Sequence, residues 1–171
     1  DAFIDSVKKV SVPGFKADPS YSVVYTPLNG TGMECVTRIL KEIGVENVDV
    51  VAEQSQPDGN FPTCKYPNPE FREALDLALR LADEKRPNLV VATDPDADRM
   101  GTAIPHGGEY KLLSGNEMGV LMMDWLAQMA AERGEDVREK VAVTTIVSSA
   151  MPDALAKDRG FELRRVLTGF K

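Results

Sequence analysis

A chain of 171 residues with 43% hydrophobic and 27% charged side chains is long enough to bury a core without metal or disulfide staples. Its net charge of -7, with no basic block, removes the usual electrostatic source of nucleic-acid affinity, and no apolar run approaches the roughly 20 residues that span a bilayer. Cys35 and Cys64 have neither a close partner nor zinc-ligand spacing around them, so a reduced, cytoplasmic setting is expected.

Phe3, Ile4 and Val7 stand at helical spacing before Pro13-Gly14 interrupts the pattern, which reads as an incoming helix tail and linker over residues 1–20. Residues 21–26 form a strand pattern, Pro27-Leu28-Asn29-Gly30-Thr31-Gly32 a turn, 33–43 a helix with Val36, Ile39, Leu40 and Ile43 on one face, and 48–51 a second strand. Alternating strand and helix with short connections favours an α/β unit over a helical bundle. Residues 54–69 carry four prolines and are the longest irregular stretch, a length at which loops are often functional. Asn68-Pro69-Glu70 predicts a helix start, with the helix running through Phe71, Ala74, Leu75, Ala78, Leu79 and Ala82 to Pro87. Residues 88–93 then predict a buried strand.

A short strand at 101–104, a turn at Pro105-His106-Gly107-Gly108 and a second short strand follow. Ser114-Gly115-Asn116-Glu117 is a capping-box sequence opening a helix, in which Met118, Met122, Met123 and Met129 read as core packing rather than a metal or cofactor site. From about 135 a new cycle begins, with strands at 141–147 and 162–167 around a helix at 149–158. The expected fold is α/β, a mixed sheet flanked by helices over 21–125, followed by an incomplete second α/β unit over 126–171. The start at Asp1 and the stop at Gly169-Phe170-Lys171, just after a strand pattern, are what an excised piece would show.

The chemistry concentrates in Thr93-Asp94-Pro95-Asp96-Ala97-Asp98-Arg99. In an extended segment residues two apart point the same way, so Asp94, Asp96 and Asp98 converge on one hard cation, with oxygen-only donors favouring Mg²⁺ or Mn²⁺ over zinc. Arg99 adds a planar fork suited to a phosphoryl group. The competing reading is an acidic surface turn whose aspartates are solvated and whose arginine pairs with one of them. An EF-hand is excluded because Arg99 and Pro105 occupy the positions of its glycine and final glutamate. Asn29-Gly30-Thr31-Gly32 reads equally as a structural turn, a phosphate-binding loop or a close approach to another catalytic loop. His106 has no local catalytic partner, Cys64 reads as an inert thiol, and Lys65 and Lys171 read as surface lysines.

Together with Gln56-Pro57-Asp58-Gly59-Asn60-Phe61-Pro62, Pro67-Asn68-Pro69-Glu70 and the two glycine-containing segments at 26–32 and 114–117, this acidic motif resembles the second domain of the α-D-phosphohexomutase family, the phosphoglucomutases and phosphomannomutases. Residues from about 130, including Thr144-Thr145-Ile146-Val147-Ser148-Ser149 and Leu167-Thr168-Gly169-Phe170-Lys171, resemble the beginning of its third domain. The resemblance implies a phosphosugar mutase in which Asp94, Asp96 and Asp98 match the Mg²⁺ ligands and Arg99 the arginine at the active centre. It also implies hexose phosphate as substrate and the remaining domains of the same polypeptide as partners. No Thr-Ala-Ser-His-Asn-Pro type phosphoserine loop occurs in these residues, so the chain alone is expected to be inactive, and neither Ser114, Ser148 nor Ser149 is expected to replace that serine. Glucose phosphate is preferred to mannose phosphate on the 26–32 and 57–63 segments. An Mg²⁺-dependent phosphohydrolase and a non-enzymatic acidic interaction domain are the alternatives.

Overall fold

The computed structural model describes residues 1–12 and 16–169 and divides the chain into two compact units, Asp1–Ser114 and a second beginning at Gly115. The division falls at 114/115 rather than at 125/126, and residues 1–20 group with the first unit. The predicted Pro13-Gly14 interruption and Lys171 lie outside the described residues.

The first unit contains α1 (Ala2–Lys8), β1 (Ser22–Thr26), α2 (Met33–Glu42), β2 (Asn47–Val50), α3 (Arg72–Lys85), β3 (Leu89–Thr93), β4 (Met100–His106) and β5 (Glu109–Leu113). Its sheet runs β2-β1-β3-β4-β5, with β1 parallel to β2 and β3, and β3-β4-β5 antiparallel. The mixed sheet expected from the sequence is therefore present. Strand alternation builds two cores. Val24 and Val90 face α3 and pack with Leu75, Ala78, Leu79 and Ala82, while Val23, Tyr25 and Val91 face α2 with its Val36 and Leu40, and Ile43 just beyond it. At the β4–β5 turn, His106 pairs with Glu109 across Gly107 and Gly108, both at positive φ, as a two-residue hairpin requires. The turn is thus confined to the glycines and His106 belongs to β4.

The helix expected near the start forms as α1, with Ile4 buried and Phe3 exposed, while one local prediction needs correction. Helix α3 begins at Arg72, not at Asn68, because the Asn68 side chain closes a tight turn by accepting from the Glu70 amide at 3.0 Å, and Phe71 remains extended and half-exposed. Asn68 therefore caps a turn ahead of the helix.

The second unit contains α4 (Gly115–Glu132), β6 (Val141–Thr145), α5 (Met151–Arg159) and β7 (Glu162–Val166), with β6 and β7 parallel. Its small core is Ala127, Ala156 and Phe161 with Met123, Leu155 and Leu163 packed around it. Met123 packs as the sequence predicted, but Met122 is exposed, since the single core stripe of α4 passes through Met123, Ala127 and Ala130. No described helix is long and apolar enough to cross a membrane.

Candidate functional site

The three aspartates lie in the loop leaving the carboxyl end of β3, the end at which open α/β sheets gather their ligands. One carboxylate oxygen from each of Asp94, Asp96 and Asp98 falls within 4.8 Å of the others. The convergence predicted from the sequence is there, but its cause differs. Residues 95–98 form a turn rather than an extended run, and Ala97 adopts a left-handed conformation at φ 58°. A left-handed alanine is strained, and such strain persists only where surrounding contacts impose it. Here the Ala97 amide donates to the Asp94 carbonyl at 3.0 Å, and the loop mouth is closed by the Asp94 amide on the Arg99 carbonyl at 3.3 Å.

Asp94 is fully buried, whereas Asp96 and Asp98 are exposed. Its two oxygens accept from the Arg99 amide at 2.9 Å and from Arg99 Nε at 2.6 Å. Burial opposes ionisation of Asp94, but these two donors and the guanidinium charge outweigh it and hold the carboxyl below its usual range. Asp98 moves the other way: the Asp96 charge chiefly, then burial and the Asp94 charge, raise it. Arg99 is raised in turn by its bond to Asp94. The loop thus concentrates more negative charge than one arginine neutralises, and each carboxylate retains lone pairs beyond those spent on Arg99. An all-oxygen set at this spacing fits a hard divalent cation. Arg99 uses its Nε edge on Asp94, while its NH1 and NH2 groups make no hydrogen bond among the described residues and the side chain is 55% exposed.

The 29–32 turn packs directly on this loop. The Thr31 amide and hydroxyl both donate to the Pro95 carbonyl, at 2.8 and 3.1 Å. A Cβ on Gly30 would lie 2.3 Å from Pro95 Cα, and one on Gly32 would lie 2.5 Å from the Tyr25 hydroxyl. The Asn29, Gly30 and Thr31 amides are spent on protein acceptors, and the turn makes a close approach to another loop, one of the arrangements left open by the sequence.

The long segment at 54–69 supports the turn from behind. Thr26 Oγ1 donates to buried Gln54 Oε1 at 2.6 Å, and Asn29 Nδ2 donates to the carbonyls of Glu53 and Gln56 at 3.3 and 2.9 Å. Gln54 Nε2 donates to Thr63 Oγ1 at 3.0 Å. At its far end, Pro69 lies against Gly101, the residue of β4 two beyond Arg99. These supports were missed in the sequence; the placement of Gly30, Gly32 and Gly101 around the acidic motif was their only trace.

Other candidates lie elsewhere. His106 is at the opposite end of β4 from the aspartates. Cys64 is buried with Leu28 and Ala74, and burial raises its thiol. Lys65 lies 5.5 Å from the Tyr66 ring centroid. In the second unit Ser148 Oγ pairs with Thr145 Oγ1 at 3.2 Å, and the Ser149 amide donates to Asn116 Oδ1 at 2.9 Å.

Residues 1–107 match the family model for phosphoglucomutase/phosphomannomutase, alpha/beta/alpha domain II. The chain belongs to the phosphoglucomutase/phosphomannomutase family. It is 40% identical over 150 residues to a probable phosphomannomutase of Haemophilus influenzae, a match covering 86% of this chain and 30% of that protein. It is 39% identical over 150 residues to a phosphoglucomutase of Staphylococcus saprophyticus, covering 87% and 27%. Against a human phosphopentomutase the identity is 35% over 176 residues, covering 100% and 29%. The chain therefore spans under a third of the length of these relatives. A putative phosphomannomutase from Thermus thermophilus shares the family fold, with TM-score 0.72 at 24% identity over 98% of this chain and 36% of that one.

Proposed function

We propose that the chain is the cation-loop portion of a phosphosugar mutase, a protein that moves a phosphoryl group between two hydroxyls of one sugar. The carrying observation is the convergence of Asp94, Asp96 and Asp98 at the end of β3 in a chain of this family. These three residues would hold Mg²⁺, with Mn²⁺ as a substitute, and the cation when bound would supply charge neutralisation to a transferring phosphoryl group. Asp94 anchors the loop through Arg99, and the outward NH1 and NH2 edge of Arg99 is directed to bind an anion bidentately. The nucleophilic serine belongs to another part of the same polypeptide, in a cytoplasmic protein, and the chain alone is inactive.

Glucose 1-phosphate and glucose 6-phosphate are the preferred pair, on the resemblance of residues 26–32 and 57–63. Mannose phosphate is the second choice, and the phosphopentomutases among the relatives add pentose phosphate to the assay. The test is turnover of glucose 1-phosphate, mannose 1-phosphate and ribose 1-phosphate by the full-length parent with Mg²⁺ supplied. No turnover of any of them by the folded protein, or net phosphate release in place of isomerisation, would sink the mutase reading. Asp96→Asn removes a ligand charge with little change in volume, so it should depress turnover by tenfold or more, on the order of 1.4 kcal/mol or above, while thermal stability holds. Unchanged turnover and metal dependence would remove Asp96 from the cation site.

A further inference from the structure

We propose that Thr31 is a positioning residue for the cation loop, holding the Pro95 peptide in the orientation that brings Asp94, Asp96 and Asp98 together; this rests on the cation reading above. Pro95 stands between Asp94 and Asp96, so the plane of its carbonyl governs how the chain leaves one carboxylate and enters the next. That carbonyl accepts two hydrogen bonds, both from Thr31, one from the amide and one from the hydroxyl. The backbones meet at this point because Gly30 has no side chain: its Cβ would fall 2.3 Å from Pro95 Cα and 2.4 Å from the Pro95 oxygen, both main-chain atoms that cannot rotate aside.

Gly32, just ahead of α2, also stands beside the loop: a Cβ there would come within ordinary contact, 3.5 Å, of Ala97 Cβ. The loop's own bonds, Ala97 amide to Asp94 carbonyl and Arg99 to the Asp94 carboxylate, close it upon itself but do not fix it to the sheet. Thr31 supplies that attachment. Its foundation is buried, since the preceding turn is tied through Asn29 to the carbonyls of Glu53 and Gln56.

The test is Mn²⁺ binding to the 171-residue chain, followed by electron paramagnetic resonance, for the unaltered protein and for Thr31→Val, Thr31→Ser and Gly30→Ala. Thr31→Val keeps the amide bond and the shape but removes the hydroxyl. It should weaken Mn²⁺ about fivefold, the equilibrium equivalent of one ordinary hydrogen bond, with little change in melting temperature. Thr31→Ser should restore most of the affinity, and Gly30→Ala should lose more than Thr31→Val. Equal affinity of Thr31→Val and the unaltered chain, or Thr31→Ser as weak as Thr31→Val, would overturn the proposal. Should the unaltered chain take up no Mn²⁺, the cation reading falls by itself. Amide exchange at Ala97 and Arg99 then decides the positioning role: faster exchange in Thr31→Val and Gly30→Ala supports it, and unchanged exchange refutes it.

Discussion

The two units use the same local grammar and reach different degrees of closure. In the first, β1 is hydrogen-bonded on both edges, and α2 and α3 cover opposite faces, so Val24, Tyr25, Leu75 and Val90 are almost wholly excluded from solvent. In the second, β6 pairs with β7 alone among the described strands, and Val141, Val143 and Val166 of the two-stranded sheet remain exposed. A groove of about 330 Å³, lined in part by Met123, Leu126, Val137 and Phe161, opens beside that sheet. The difference teaches what holds the loop after β3: that strand is paired on both edges, with β1 and β4, and the sheet is covered on both faces. The loop at its end is held from the 29–32 turn as well as by its own strands.

The comparison is broken most directly through the cores. Leu75→Ala should cost about 2–5 kcal/mol in denaturant unfolding, whereas Val143→Ala on exposed β6 should stay within about 0.5 kcal/mol. A large loss at Val143 would mean that β6 is covered in solution. A middle-sized effect should come from the polar support of the site: Gln54→Leu leaves the buried Thr26 hydroxyl without its acceptor and should cost about 1–3 kcal/mol, measured the same way. A neutral result there would show that the long segment is not anchored as described.

The smallest effect belongs to the surface of the second unit. Glu135 is lowered to about 2, first by its bond to Lys140 and then by that to Arg133, and Asp136 is lowered to about 2 by Arg138. Because both folded values lie below the ordinary carboxylate values, their contribution is fully present above about pH 4.5 and is lost as pH falls towards about 2. These groups are solvent-screened, so the effect should be small and diminish in high salt. Melting curves of the unaltered chain and Glu135→Gln from pH 6 to 2 should converge at the acid end; a gap that widens there would reverse the assigned sign.

Much of this was legible in the residues because it depends on short-range pattern. The 3.6-residue spacing of Ala74, Leu75, Ala78, Leu79 and Ala82 announced a helix, and the run at 88–93 a buried strand, which forms as β3. The start of α3 was not legible, since Asn68 serves a helix cap and a tight turn equally well, and here its side chain is spent on the Glu70 amide within the turn. The aspartate cluster was recognisable from composition, but the turn that assembles it was not. Alanine carries no local preference for a left-handed backbone, so the conformation of Ala97, closed by its amide on the Asp94 carbonyl, could not be read from residue type. Thr31 stands in a turn whose composition fits several roles, and its two bonds to the Pro95 carbonyl are long-range contacts that no local pattern announces.

The bare α-carbons of Gly30, Gly32 and Gly101 reverse the usual logic of a mutational scan. On the proposed cation reading, damage at Asp94, Asp96 and Asp98 would come from taking atoms away, whereas around them the packing is broken by adding one carbon: a methyl on Gly101 would sit 2.0 Å from the Pro69 oxygen. Alanine scanning, designed to erase side chains, is an insertion at these positions. The outline of this loop is drawn by the spaces its neighbours leave empty.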